Sequence, residues 1–95
     1  MQMRNNQVLQ HFITKGVIAT MRNYPYREGQ HIRINRKYSG KVVKVVQING
    51  EKDKKIDNFV GISSFNTKED WIKEAKRLNK GKLPKYIVFV IRYNH

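Results

Sequence analysis

Between Thr14 and Arg36 the chain sets five cations, Lys15, Arg22, Arg27, Arg33 and Arg36, against one acidic residue, Glu28. Tyr24 and Tyr26 bracket Pro25 in their midst. Guanidinium groups interleaved with aromatic rings can hold phosphate through the cation and bases through the ring faces. The same residues would also suit a solvated loop between two strands, so this stretch by itself leaves both roles open. Other chemistry has less to build on. Ser63-Ser64 lies in no G-x-S-x-G elbow, and no triad spacing is visible. Gly29, Gly40, Gly50 and Gly61 are spaced as strand turns rather than as a phosphate-binding loop. His11, His31 and His95 lack the mutual spacing and the neighbouring carboxylates of a metal site. With no cysteine, disulfides and thiolate ligands are excluded. No cofactor and no metal is implied.

Charge is the strongest global signal. Twenty Lys and Arg face seven Asp and Glu, a formal net charge of +13. Residues 1–50 hold nine cations and one anion, residues 51–95 eleven and six. Such self-repulsion does nothing for the stability of a small domain, so it points to a polyanionic partner, nucleic acid before an anionic membrane surface. A charge-rich thermophilic surface would normally carry abundant Glu as well, and Glu is scarce here. Ninety-five residues make one domain, 1–95. Apolar runs such as Tyr86–Ile91 fall far short of a bilayer span. MQMRNNQVLQ lacks the apolar segment of a signal peptide, so a cytoplasmic location is expected, and separately the protein is expected to be a monomer.

The elements that must position these residues can be read in order. Asn5 or Asn6 caps a helix over Gln7–Lys15 with Val8, Leu9, Phe12 and Ile13 as its buried stripe and Gly16 as its stop. Ile18–Arg22 reads as a strand, Glu28-Gly29-Gln30 as a turn, and His31–Asn35 as a half-buried strand. Ser39-Gly40 reads as a turn before Lys41–Ile48, whose valines at both parities predict burial on both faces for part of its length. Asn49-Gly50 is a turn, Glu51–Lys55 a charged loop, and Ile56–Ile62 a further strand. Asn66 and Glu69 form a capping-box pattern for a helix to about Asn79 that buries Trp71, Ile72, Ala75 and Leu78. Glu69, Asp70 and Glu74 near its start suit the helix dipole. Tyr86–Tyr93 is the clearest strand and should be central. The order predicts an α+β fold, a small mixed β-barrel with two flanking helices.

The helix ending at Gly16, the strand with Thr20 and Arg22, the turn Tyr26-Arg27-Glu28-Gly29, the step Val60–Ser63 and the helix start Glu69-Asp70-Trp71-Ile72 resemble the ASCH domains of the PUA-like superfamily. The order of elements covers almost the whole chain. The resemblance implies RNA binding in a cleft between a barrel and its helices, and some bacterial members hydrolyse the amide of N4-acetylcytidine. Those hydrolases carry lysine and threonine in a G-x-K-x-x-T-x-R setting and a glutamate before the second helix. Here Thr20 and Arg22 match, Val17 stands in the lysine position with Lys15 before the glycine, and the glutamate position falls near Ser64, with Glu69 several residues later. A threonine without a positioned base is a weak nucleophile.

The leading expectation is therefore a nucleic-acid-binding module, RNA before DNA. Arg22, Arg27, Arg33 and Arg36 would meet phosphates, with Lys15, Lys41 and Lys44 adding to the field. Tyr24 and Tyr26 would stack on an unpaired base, and Thr20 would hydrogen-bond a base edge from the pocket floor. The alternatives are an amidohydrolase on N4-acylated cytidine, using Thr20, Lys15 and Glu69, and a regulatory module whose basic face meets an acidic protein.

Overall fold

The computed structural model describes residues 1–93, so His95 lies outside the described residues. The first helix, α1, runs Asn6–Lys15. Asn5 Oδ1 accepts from the backbone N–H of Gln7 (2.8 Å) and Val8 (3.2 Å), satisfying donors that the first turn leaves unpaired. At the other end Gly16 takes φ 78° and its N–H donates to Phe12 O, the left-handed stop that favours glycine. Val8 and Phe12, four residues apart, are buried, while Leu9 and Ile13 are half-buried flanks of the same stripe.

Four strands follow the predicted order with one substitution. They are β1 (Val17–Arg22), β2 (His31–Arg33), β3 (Ser39–Gln47) and β4 (Tyr86–Tyr93), in the spatial order β1-β4-β3-β2. As expected, β4 is interior, pairing with β1 on one side and β3 on the other. Every pairing is antiparallel, and the sheet stays open rather than closing into the expected mixed barrel. The reason lies in β2, which gives only three residues to the ladder and pairs with β3 alone. Past Arg33 the chain turns at once, with Asn35 Oδ1 accepting from the N–H of Lys37 and Tyr38 (both 2.9 Å). That turn, not Ser39-Gly40, precedes β3, and Gly40 is a strand residue.

The expected strand over Ile56–Ile62 is helical. Helix α2 runs Lys54–Phe59 and passes into a 3₁₀ turn, Val60–Ile62, that includes Gly61. Asp53 starts it: one carboxylate oxygen accepts from Lys55 N–H (2.9 Å), the other from Asn49 N–H (2.8 Å). Ile56, Phe59 and Val60 then fall three and four apart on the core side, a helical period. A third helix, α3, runs Lys68–Leu78 with Thr67 rather than Asn66 as its cap, Thr67 Oγ1 accepting from Asp70 N–H at 3.1 Å. Trp71 and Ile72 are buried as expected and Ala75 half-buried, but Leu78 is exposed.

The alternation of the strands divides the core in two. Ile18, Ile32, Val42, Val88 and Val90 face α1 and meet Met3, Val8 and Phe12. Ala19, Met21 and Ile87 face the other way and meet Ile56, Trp71 and Ile72. A bulge between Val42 and Lys44 sets which valine goes where. Val42 pairs with Val90 and Val45 with Val88, so both face α1 although three residues apart. Val43 is left 43% exposed at the bulge, while Val45 and Val46, on opposite faces, are half-buried. Among the described residues no helix is long and apolar enough to cross a membrane.

Candidate nucleic-acid interface

A cleft of about 290 Å³ opens between the segment before α1, the end of β1 and one face of α3. Alternation along β1 puts Thr20 and Arg22 on the same side, and both line it. Helix α3 contributes Trp71, Glu74, Ala75 and Leu78, spaced three and four apart as one helical face demands. Asn5, Val8 and Phe65 complete the walls. The volume is at the lower end of small-molecule sites, about 300–1,000 Å³.

The polar groups of this cleft are already oriented. Arg22 Nε donates to Thr20 Oγ1 at 3.2 Å, and its terminal nitrogen donates to Gln2 O at 2.7 Å. Burial lowers the Arg22 pKa, Tyr26 opposes that shift, and Arg4 reinforces it. A guanidinium still keeps its proton at neutral pH. On the opposite wall Glu74 accepts from Arg77 (2.5 and 3.1 Å) and from Asn5 Nδ2. The Arg77 contact holds the Glu74 carboxyl below its usual range, burial pulls it upward, and Asn5 helps the lowering. The cleft thus presents a fixed cation and a fixed carboxylate on either side of an apolar floor, able to read the donors and acceptors of a planar polar ligand.

The three hydrolase candidates are not brought together. Thr20 is in the cleft wall, only 7% exposed. Lys15 is an exposed residue at the end of α1, outside the cleft lining. Glu69 lies on an outer face of α3, in a shallow depression with Lys68 and Lys73. Among the described residues the side-chain partner of Thr20 Oγ1 is Arg22, a donor that cannot act as base. Glu74, expected to serve the helix dipole, is the carboxylate that lines the cleft. Its position three and four residues from Trp71 and Leu78 was the available signal.

The nucleic-acid candidates are spread over the molecule. Tyr24 is 61% exposed and meets Tyr26 edge-on, ring centroids 4.7 Å apart. Tyr26 is half-buried and packs against the core on the α1 side. Arg27 is exposed in the turn that follows, where Gln30 Oε1 accepts from its N–H (3.0 Å). Arg36 projects from the turn between β2 and β3, and Lys44 is exposed at the bulge. Arg33 and Lys41 lie on the sheet face turned away from α1, since Ile32 and Val42 beside them are buried towards α1.

Among the described residues, four of the eleven cations of residues 51–95 are ion-paired. Every salt bridge among the described residues draws its cation from residues 55–77: Lys55, Lys68, Lys76 and Arg77. The nine cations between Arg4 and Lys44 pair with no carboxylate among the described residues. No family model, no curated protein and no solved structure matches this chain.

Proposed function

We propose that the chain is a small basic nucleic-acid-binding module, favouring RNA with unpaired bases over DNA, on a fold related to the ASCH and PUA-like domains. One observation carries the reading: the nine cations of residues 1–44 have no carboxylate partner among the described residues, and Glu28 is the one acidic residue in that stretch. Unneutralised guanidinium and ammonium groups of one sign raise the local concentration of a polyanion and gain by releasing its counterions. The exposed Tyr24, braced by Tyr26, supplies a ring face for stacking, and the Thr20–Arg22 wall supplies donors for a base edge. Both favour unpaired bases over duplex, which supports RNA loops and single strands.

The test is fluorescence-polarisation binding to matched single-stranded RNA, single-stranded DNA and duplexes across a salt series. Binding that prefers single-stranded RNA and survives physiological salt supports the module. Equal binding to all forms that vanishes with salt would reduce the charge to a nonspecific field. Hydrolysis of N4-acylated cytidine is the second reading, favoured because Thr20 and the Glu74 carboxylate line one cleft. It predicts turnover of acetylcytidine that Thr20→Ala abolishes.

A further inference from the structure

Among the described residues, α2 and α3 cover only part of the length of the sheet face turned towards them. Ala19, Met21 and Ile87 lie beneath Ile56, Trp71 and Ile72, and Phe89 meets Phe59 edge-on at 6.5 Å. Beyond Phe89 the same face continues through Ile91 and Tyr93 on β4. The register places Lys41 beside Ile91, Ser39 beside Tyr93, His31 beside Lys41 and Arg33 beside Ser39. None of these six side chains is buried, and His31 and Arg33 are exposed.

Two rings meet on this surface. The His31 and Tyr93 centroids are 4.4 Å apart with planes at 57°. Their strands are separated by β3, about 10 Å at the backbone, so both side chains lean inward across it. The contact is diagonal, because Lys41 stands beside His31 and Ser39 beside Tyr93, and the small Ser39 leaves room for it. Arg33 and Lys41 flank the pair. The four strands carry no acidic residue at all, because all seven Asp and Glu lie in turns and helices. A patch that combines aromatic rings with cations and lacks carboxylates complements a polyanion with flat bases. A protein partner on a sheet face would need a broader apolar surface than Ile91 and Val43 offer.

The geometry points to a second nucleic-acid contact on this face: an unpaired base stacks on the exposed His31 ring, which Tyr93 braces, while Arg33 and Lys41 hold the adjoining phosphates. It rests on the reading of the chain as a nucleic-acid-binding module and gives that module a surface separate from the cleft. The strand is read by stacking, which every base permits, so this surface contributes affinity for single strands and little sequence preference.

The test compares wild type, His31→Ala, His31→Phe and Lys41→Ala in polarisation titrations with single-stranded RNA and with duplex. Circular dichroism melts establish that each variant is folded. His31→Ala should weaken single-strand binding by on the order of tenfold, with duplex affinity little changed. His31→Phe should keep wild-type affinity, because the ring face is retained. Lys41→Ala should make the plot of log affinity against log salt shallower by about one phosphate contact. Wild-type affinity in His31→Ala, or a loss in His31→Phe as large as in His31→Ala, would overturn the stacking surface and leave the module standing. Failure of the wild type to bind any strand would overturn both.

Discussion

Replacing Gly40 with alanine should cost the fold measurably, and the structure sets the size. Gly40 lies in β3 opposite Ile32 and Arg92, and an added methyl would point into the layer beneath α1. It would stand 2.5 Å from Val90 Cγ1, 3.2 Å from Ile91 O and 3.5 Å from Phe12 Cζ. Carbon atoms prefer about 3.5–4.0 Å, so Val90 would have to retreat by about 1 Å. Val90 is fully buried on the interior strand and β-branched, with few rotamers to escape into, and Phe12 is fully buried too. Overpacking of this kind costs about 1–3 kcal/mol. The smaller unfolded-state entropy of alanine returns about 0.4–1 kcal/mol of that. In a domain this size 1 kcal/mol moves Tm by about 4–8 °C, so Gly40→Ala should melt roughly 5–10 °C below wild type. Thermal melts followed by circular dichroism at neutral pH read this directly. Val90→Ala removes the opposing methyl, so the double variant should be more stable than the two single losses predict. An unchanged Tm in Gly40→Ala, or strict additivity in the cycle, would refute the claim that this glycine exists to let β3 lie against Val90 and Phe12.

Tyr24 and Tyr26 should separate by assay. Tyr24→Ala should weaken single-strand binding while leaving Tm nearly unchanged, whereas Tyr26→Ala should lower Tm because its ring packs on the core; a comparable Tm loss in both would make Tyr24 structural. Arg27→Ala, on an exposed turn, should reduce the salt slope by about one contact, and an unchanged slope would remove Arg27 from the interface. Glu74 has a lowered pKa in the folded protein, so its contribution is present above the unfolded carboxyl value of about 4.3 and is lost as pH falls through the folded value. Urea titrations of Glu74→Gln should therefore show a slightly lower stability at neutral pH, a few tenths of a kcal/mol for a partly exposed pair, and a flatter acid limb; an acid limb identical to wild type would mean the contact is not made in solution. Asn5→Ala should cost about 1 kcal/mol through the lost helix cap, read as a lower urea midpoint, and an unaltered midpoint would mean that α1 does not depend on that cap.

The sequence by itself determined the elements that are decided locally. Asn5 and Gly16 bound α1 because a cap accepts its own helix's N–H groups and a left-handed stop needs no distant partner. Trp71 and Ile72 marked the inner face of α3, and the β-branched run of Tyr86–Tyr93 marked the strand that became interior. Thr20 and Arg22 share a side because they stand two residues apart on a strand. What the tertiary structure alone decided was everything that depends on how segments meet. Ile56–Ile62 became helical because Ile56 found Trp71 and Ile72, contacts that no short window displays. The bulge at Val42 and Lys44 shifted the parity of β3, so valines adjacent in sequence were divided between core and solvent. The open sheet followed from a three-residue β2. The cleft is the plainest case, since Asn5, Thr20 and Glu74 come from three separate parts of the chain and converge only when the segment before α1, β1 and α3 pack together. Local spacing encodes which face a side chain occupies, and the packing of faces against one another decides which side chains share a site.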